Sequence, residues 1–309
     1  MTTWADVKDD PRFIRVLDHG FVGLVDVMGD DAAIVQSARV SYGTGTKSVR
    51  EDRGLIRYLF RHRHTSPIEA CEVKFMIRLP IFVMRQLVRH RTAHLNEYSA
   101  RYSVLSDDFY IPDATFIQPQ SQSNRQGRDG AISETSVAGV QWMLEAANGH
   151  SYDVYRVLLG ERAGRDEEYP EELIYDPYSE QNPLLDEEFP GIAREVARTV
   201  LPVSFYTEVY WKQDLHNLFH LLKLRSDPHA QREIREYAAA MFLLIQPIFP
   251  SACEAWVDYM RDSMTLSRME VLLMRDLLHG AAILECDPVQ YGMTKREMAE
   301  FIERFELAK

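Results

Sequence analysis

The stretch that decides the fold is residues 72–102, which read EVKFMIRLPIFVMRQLVRHRTAHLNEYSARY. Apolar side chains alternate from Val73 to Leu79 with the period of two that is typical of a half-buried strand. Pro80 then stands at a favourable first position of a helix, and residues 81–84 begin an apolar helical run. The stretch therefore predicts a strand followed directly by a helix.

Polar groups crowd the second half of this stretch. Residues 89–102 combine three arginines and two histidines with an amide, a carboxylate and several hydroxyls. Gln86, Arg89 and His90 are three and four residues apart, so we expect them to share one face of the helix. The helix is expected to break near Thr92 and the chain to return beside it as a loop or strand. Because guanidinium groups bind phosphates in a planar, bidentate manner, the cluster predicts an oxyanion site; a solvated helix end is the alternative.

Composition restricts the class of protein. The chain has 309 residues, of which 46% are hydrophobic, enough for a substantial core in one domain or two. It has no run of about eighteen apolar residues, and its N-terminus lacks a basic-then-apolar signal pattern, so we expect a cytoplasmic protein without membrane spans. A formal net charge of −12 disfavours nonspecific binding to nucleic acid. Arginines clustered in an acidic chain suit a small anionic ligand instead.

The cysteines do not form an evident reactive site. Cys71, Cys253 and Cys286 are too few and too widely spaced for a disulfide framework or a four-thiolate metal site. Cys71 continues the apolar alternation of the predicted strand, which indicates a core position. None of the three belongs to the arginine-rich stretches, although a thiolate nucleophile needs cationic surroundings to lower its pKa. We therefore expect no cysteine nucleophile.

Periodicity predicts the remaining elements. Strands are expected near residues 13–16 and 23–28. Helices are expected over residues 52–63, 134–163, 205–224, 233–248, 267–278 and 294–307. Thr294 and Glu297 form a capping box at the start of the last helix. The expected fold class is α+β, a single domain with an antiparallel or mixed sheet flanked by long helices.

Residues 89–102 resemble the signature of the flavin-dependent thymidylate synthases. That signature consists of Arg-His-Arg, seven further residues and a serine, with Asn-Glu before the serine and Arg-Tyr after it. The matching residues in this chain are Arg89, His90, Arg91, Asn96, Glu97, Ser99, Arg101 and Tyr102. Family members carry a serine where this chain has His94, so the role of that position is open.

Further motifs resemble the same family in the same order. Residues 224–231, LRSDPHAQ, are similar to its second signature, Leu-Arg-x-Asp-x-His-Ala-Gln. Residues 197–202, ARTVLP, are similar to its Ala-Arg-x-x-Leu-Pro motif, and residues 64–67, HTSP, to the motif that precedes its central strand. The second Arg-His-Arg, at residues 61–63, lacks the serine and does not match. The resemblance extends over residues 35–250.

The resemblance implies an FAD-dependent methyltransferase that converts dUMP to dTMP. Methylenetetrahydrofolate would donate the one-carbon unit and NADPH would be the reductant. Family members are homotetramers with active sites at subunit interfaces, which is compatible with the lack of a self-contained Rossmann fingerprint. The implied organisation is a catalytic domain at residues 1–262, with an acidic insertion at about 165–190, and a helical extension at residues 263–309.

The resemblance also implies roles for individual residues. Arg225 would be the catalytic residue, because a guanidinium near the pyrimidine stabilises negative charge developing on it. The residues expected to bind dUMP are Gln86, Arg89, Ser99, Arg101, Arg198 and Arg225. The residues expected to bind FAD are Ser41, His64, Ser66, Arg89, His90, Arg91, Asn96, Glu97, Asp214, His216, His220 and His229. At Asp214, His216 and His220 family members commonly carry Asn or Arg, so this chain departs from the pattern there.

Two other functions are alternatives from the residues alone. His216 and His220 are four apart on a predicted helix, a spacing that places two imidazoles on one metal ion, and His229 could complete a hydrolase site. However, Asn217 stands where a zinc peptidase carries its catalytic Glu. The two Arg-His-Arg clusters could instead belong to a nucleic-acid-binding module, but acidic residues surround them where basic and aromatic ones are needed. The flavoenzyme hypothesis therefore predicts that the protein binds neither a metal ion nor nucleic acid.

Overall fold

The structure is a computed structural model in two compact units, Met1–Trp256 and Val257–Lys309. It describes residues 1–40, 49–122, 127–161, 177, 182–185 and 189–307. Most of the predicted acidic insertion therefore lies outside the described residues, as does Ser41. The predicted boundary between a catalytic domain and an extension at residue 262 stays a prediction.

One antiparallel sheet organises the first unit. Among the described residues it has five strands: β1 (Phe13–Val16), β2 (Gly20–Met28), β3 (Glu72–Pro80), β4 (His94–Glu97) and β5 (Tyr206–Asp214). Their spatial order is β1-β2-β3-β5-β4, and each neighbouring pair is antiparallel. The predicted α+β class and the antiparallel sheet are confirmed. β4 lies at the edge next to β5, which brings the arginine-rich stretch to one side of the sheet.

The predicted strand at the start of residues 72–102 is the central strand β3. It pairs with β2 on one side and with β5 on the other, so that Phe75 lies opposite Trp211 and Ile77 opposite Val209. These four side chains are buried. Fully burying a side chain of this size contributes about 1.5–3 kcal/mol to the free energy of unfolding. The β3–β5 pair therefore provides a stable support for the elements that follow each strand.

The predicted helix over residues 205–224 is wrong in its first half. Tyr206–Asp214 form β5, whose aromatic and β-branched residues favour a strand and whose two edges pair with β3 and β4. Helix α8 (Leu215–Arg225) begins only after this strand. The Asp214 carboxylate caps it by accepting a hydrogen bond from the backbone N–H of Asn217 at 2.9 Å. Pairing on both sides of the strand thus outweighs the helical spacing of its apolar residues.

Helices surround the sheet in the first unit. They are α1 (Trp4–Val7), α2 (Asp31–Arg39), α3 (Val49–Arg61), α4 (Ser66–Glu69), α5 (Ile81–Leu87), α6 (Glu134–Leu158), α7 (Arg194–Ala197), α8, α9 (Arg232–Ile245) and α10 (Pro250–Trp256). Helix α9 packs against β1, β2 and α8. The Phe219 ring of α8 stacks on the Trp256 ring of α10, with centroids 5.4 Å apart. This packing fixes α8, which carries three of the expected site residues.

The second unit is helical where it is described. It contains a π-helical segment (Val257–Arg261), helix α11 (Arg268–Leu278) and helix α12 (Lys295–Arg304). Leu273 and Phe301 are fully buried in its small core. The capping box predicted at the start of α12 is confirmed. None of the described helices in either unit is both long enough and apolar enough to span a membrane.

Candidate active site

The arginine-rich stretch is divided between a helix end and a strand. Helix α5 ends at Leu87, so the prediction that Arg89 and His90 share a face of this helix with Gln86 is wrong. The His90 N–H donates to the Leu87 carbonyl at 3.0 Å, in a turn that takes the chain away from the helix axis. The following β4 pairs with β5 at the edge of the sheet and does not return along α5. Strand pairing at the sheet edge therefore determines where the signature residues lie.

The first of two site pockets, called the Ser99 pocket here, has a volume of about 340 Å³ and lies beside β4. Its polar lining includes Arg85, Glu97, Ser99, Arg198 and Thr207. The Thr207 hydroxyl donates to the Glu97 carboxylate at 2.8 Å, which fixes this carboxylate in the pocket wall. Two guanidiniums and a hydroxyl in one concavity form a binding surface for an oxyanion.

Arg85 belongs to this pocket but is not among the residues that the sequence motifs assign to the site. Arg85 directly precedes Gln86 on α5, and only Gln86 was assigned from the resemblance to a known family. The side chain of Arg85 is exposed and lines the same pocket as Ser99 and Arg198. Its position four residues before Arg89 is the only sequence signal, and a helix face alone does not reveal which distant residues complete a pocket.

The second pocket, called the Arg225 pocket here, has a volume of about 430 Å³. Its lining residues are Gln86, Leu224, Arg225, Asp227, His229, Ala230 and Gln231. Arg225 Nε donates to His90 Nε2 at 3.0 Å, and Arg225 Nη2 donates to the Gln86 carbonyl at 3.2 Å. The Gln86 side chain in turn donates to the Gln231 side chain at 2.5 Å. The end of α8 and the end of α5 are thereby joined through Arg225.

His90 acts as a neutral hydrogen-bond acceptor for Arg225. The residue is only 8% exposed, and burial together with the nearby Arg225 and His220 lowers the pKa of His90 to about 4. An unprotonated Nε2 that accepts a hydrogen bond leaves the ring proton on Nδ1. Burial also lowers the pKa of Arg225, but a guanidinium is not deprotonated in a protein at neutral pH. The guanidinium is held in place and keeps donors free for a ligand.

Several expected dUMP and FAD contacts are exposed and lie outside both pockets. Arg89, Arg91 and Asn96 have exposed side chains. Arg101 is also exposed and forms an ion pair with Glu195, with 3.1 Å between Arg101 Nη2 and Glu195 Oε2. Within one chain the structure therefore brings together only some of the residues that the sequence assigns to a single site.

The remaining candidate flavin residues gather around α8. Helix α4, which begins at Ser66, packs against α8, and the exposed His64 lies two residues before this short helix. Helix α8 carries the half-buried His216 and the exposed His220, whose ring centroid is 6.2 Å from that of His90. The packing of α4 on α8 and the contact between the His90 and His220 rings thus connect these segments through α8.

Asp214 has a structural role at the start of α8. Its two carboxylate oxygens accept hydrogen bonds from the backbone and the side chain of Asn217, at 2.9 and 2.7 Å. His229, by contrast, has an exposed side chain whose Nδ1 lies 2.9 Å from Asp227. Asp214 is thus engaged within its own helix turn, whereas His229 borders the Arg225 pocket.

The arrangement does not favour the metal-dependent alternative. His216 and His220 do lie on one helix, as their spacing predicts. In the part of the chain that the structure describes, however, no group of three or more histidine, cysteine and acidic side chains is placed to hold a metal ion. A pair of imidazoles alone leaves a tetrahedral metal site half complete.

Comparisons with known proteins identify the family. A family described as "Thymidylate synthase complementing protein" has a sequence profile that matches residues 23–251. A flavin-dependent thymidylate synthase from Ruegeria pomeroyi is 46% identical over 286 residues, which are 93% of this chain and 85% of that protein. The enzyme of the same name from Rickettsia bellii is 44% identical over 93% of this chain and 91% of its own. The chain belongs to the flavin-dependent thymidylate synthase family.

Solved structures agree with this assignment. A crystal structure of the UMP/dUMP methylase PolB from Streptomyces cacaoi, bound with 5-Br UMP, is 34% identical to this chain with a TM-score of 0.64. The match covers 81% of this chain and 99% of that one. The resemblance inferred from the sequence motifs is confirmed, and the chain is an enzyme of the flavin-dependent thymidylate synthase family.

Proposed function

We propose that this flavin-dependent thymidylate synthase family member converts dUMP to dTMP, with methylenetetrahydrofolate as the one-carbon donor and NADPH as the reductant through bound FAD. The observation that carries the proposal is the fixed Arg225 guanidinium. It is oriented by His90 and by the Gln86 carbonyl at the wall of a pocket of about 430 Å³. Relatives at 44–46% identity are named flavin-dependent thymidylate synthase.

Arg225 has the geometry of an electrostatic catalyst. Its Nε and one terminal N–H are engaged with the protein, which leaves the remaining guanidinium donors for the carbonyl and ring nitrogen of a pyrimidine. Prearranged donors of this kind stabilise negative charge that develops on the ring without further reorganisation. Arg225 is therefore assigned to activation of the pyrimidine, and His90 to the orientation of Arg225.

The phosphate of dUMP is assigned to the cations of the Ser99 pocket. Arg85, Arg198 and Ser99 line this pocket together, whereas Gln86 and Arg225 line the other one. A nucleotide held by both groups at once fits an active site in which the two pockets come from different subunits of a homotetramer. Such shared sites are common in symmetric oligomers, because a symmetric interface brings different surfaces of two copies together.

FAD is assigned to the region around α8. The donor set fits a flavin dinucleotide, because the exposed guanidiniums of Arg89 and Arg91 suit a diphosphate and the imidazoles of His64, His216 and His220 suit ring and ribose oxygens. Bound FAD would supply the redox chemistry, by accepting and passing on reducing equivalents. The residues of the chain itself bind and orient the flavin and the substrates, and they exclude water from the site.

Two buried cysteines support a reaction without an enzyme thiolate. Burial, with the nearby Asp30 and Asp31, raises the pKa of Cys71 to about 11. Burial and the nearby Asp31 raise the pKa of Cys253 to about 12. A thiol with a raised pKa and no access to solvent is a poor nucleophile. Cys286 lies in the second unit, outside the residues that line the two pockets.

The proposal is tested by the visible absorption spectrum of the purified protein, recorded before and after addition of FAD and then anaerobically with NADPH, with and without dUMP. We expect a flavin band that bleaches, faster or more completely when dUMP is present, and dTMP formation once methylenetetrahydrofolate is added. A protein that binds no flavin even when FAD is supplied would overturn the proposal.

A further inference from the structure

A third pocket, called the arginine pocket here, adjoins the Arg225 pocket and has no role in the proposal above. It has a volume of about 440 Å³ and is lined by Gln120, Gly127, Arg128, Pro228, His229, Ala230, Gln231, Arg232 and Arg235. Among these described lining residues there are three arginines and no carboxylate. His229, Ala230 and Gln231 line the Arg225 pocket as well, so the two pockets are neighbours.

Arg128 is held in the pocket wall by a buried carboxylate. Arg128 Nη2 lies 2.8 Å from Glu233 Oε1, and Glu233 is 1% exposed. The Tyr110 hydroxyl donates to the same oxygen at 3.1 Å. Burial alone would raise the pKa of Glu233, but hydrogen bonds from Arg128, the backbone and Gln231, together with the Arg128 charge, outweigh burial and the pKa is lowered. Glu233 is thus ionised and fixes Arg128 from behind.

Arg232 and Arg235 come from the first turns of α9 and are three residues apart, so they lie on one face of this helix. The Arg232 guanidinium lies over the ring of Phe116, and its Nε is 3.3 Å from Glu236 Oε1. Stacking on an aromatic ring fixes the plane of a guanidinium. For Arg235, the Nε atom is buried and has no hydrogen-bond partner among the described residues.

Among the described residues, the guanidiniums of this pocket keep N–H donors beyond those used in their ion pairs. The ion pairs of Arg128 with Glu233 and of Arg232 with Glu236 each use one nitrogen, although each guanidinium carries five N–H donors. Four carboxylates lie near the three cations: Glu233 pairs with Arg128, Glu236 and Asp113 lie near Arg232, and Asp227 lies near Arg235. An anion with several oxygens is the ligand that matches positioned guanidiniums of this kind.

We propose that the arginine pocket binds the anionic tail of a co-substrate whose reacting part lies in the Arg225 pocket. This inference rests on the proposed function, because that function supplies two co-substrates with such tails. One is the 2′-phosphate of NADPH and the other is the glutamate carboxylate end of the folate. The 2′-phosphate and the glutamate carboxylates each present several oxygens that the same guanidiniums can bind. The chemistry that the two ligands share is therefore that of an anion with several oxygens.

The test compares the variants Arg235→Gln and Arg232→Gln with a control, Arg15→Gln. Arg15 is an exposed arginine of β1 that lines none of the three pockets. Steady-state rates of dTMP formation are measured with NADPH and with NADH, and with methylenetetrahydrofolate carrying one or several glutamates. Thermal unfolding of each variant verifies that it is folded.

Loss of a charge-assisted hydrogen bond to the tail should raise the relevant KM roughly tenfold or more in both pocket variants and leave the control unchanged. A rise for NADPH but not for NADH assigns the pocket to the 2′-phosphate. A rise that grows with the number of glutamates assigns it to the folate. Equal KM values for pocket variants and control with every co-substrate overturn the proposal.

Direct binding separates failure of this inference from failure of the proposed function. Calorimetric titration of the full chain with 2′,5′-ADP, with 5′-AMP and with triglutamate needs no turnover. Binding of 2′,5′-ADP or triglutamate that the Arg235→Gln substitution weakens supports the pocket even if no dTMP is formed. An affinity that this substitution leaves unchanged for both probes contradicts the pocket even in an active enzyme.

Discussion

The two pockets of the candidate active site differ in how their arginines are held. In the Ser99 pocket, Arg85 and Arg198 are exposed. In the Arg225 pocket, the guanidinium is half-buried and is fixed by a neutral imidazole and a backbone carbonyl. An exposed cation suits the binding of an anion, whereas a fixed donor can contribute to transition-state stabilisation. Under the proposed function, this difference matches substrate capture by the Ser99 pocket and activation of the pyrimidine by the Arg225 pocket.

The largest effect is expected for Arg225→Ala. Removing a preorganised donor at a developing charge should lower kcat for dTMP formation by about 10²–10³-fold or more, while FAD stays bound. Lys223→Ala, in the same last turn of α8, is the matched control and should keep wild-type turnover. Rates and the flavin spectrum of both variants are compared. Near-wild-type turnover by Arg225→Ala would contradict the assignment of pyrimidine activation to the Arg225 pocket.

A different kinetic signature is expected for Ser99→Asp. A carboxylate between Arg85 and Arg198 repels the phosphate of dUMP, so KM for dUMP should rise by roughly one to two orders of magnitude, with a smaller change in kcat. Ser99→Ala, which adds no charge, is the control. If Ser99→Asp instead lowers kcat and leaves KM unchanged, the assignment of substrate binding to this pocket is contradicted.

His90 variants test what orients Arg225. His90→Gln places an acceptor near the position of Nε2 and should retain much of kcat, whereas His90→Leu removes the acceptor and should lower kcat by about tenfold, the effect of one lost hydrogen bond to a charged group. KM for dUMP should change less than kcat in both variants. Equal turnover by the two variants would mean that the Nε2 acceptor does not position Arg225.

His90 also makes stability depend on pH. Its pKa is about 4 in the folded chain, below the ordinary value of 6.5, so between these values the unfolded chain binds the extra proton. Stability should therefore fall by roughly 1–3 kcal/mol as the pH decreases through this window. Urea unfolding from pH 7 to pH 4 should show a shallower decrease for His90→Leu than for wild type. Parallel decreases would contradict a buried, neutral His90.

The smallest effect on activity is expected for the cysteines. Cys71→Ala and Cys253→Ala remove buried thiols from packed positions and should cost about 1 kcal/mol of stability while turnover stays near wild type. Chemical unfolding and dTMP formation are measured together. Complete loss of turnover in a folded Cys71→Ala or Cys253→Ala protein would indicate that a thiolate takes part in the reaction.

Local sequence signals predicted much of the fold and the elements that carry the site. The alternation before Pro80 predicted the central strand β3, and the capping box at Thr294 predicted the start of α12. Residues 205–214 were misassigned because their apolar residues also fit a helical period. Their strand conformation depends on pairing with β3 and β4, which lie far away in the sequence.

The site was predictable only as a set of residue types. The signature and the family resemblance identified Arg225, Ser99 and Arg198, but a one-dimensional pattern cannot show that they line separate pockets. Even adjacent residues of α5 line different pockets, Arg85 the Ser99 pocket and Gln86 the Arg225 pocket. After α5 ends at Leu87 the chain turns, and His90 contacts Arg225. Arg85 became visible as a site residue only through its neighbours in space.

The most direct test of the shared-site account is subunit complementation. Purified Ser99→Asp and Arg225→Ala proteins are each expected to be nearly inactive at low dUMP concentration. When they are mixed and the subunits allowed to exchange, sites built from one unmodified Ser99 pocket and one unmodified Arg225 pocket should form. Random pairing predicts that dTMP formation returns to about a quarter of the wild-type rate. A mixture that exchanges subunits but stays as inactive as its components would contradict an active site shared between two chains.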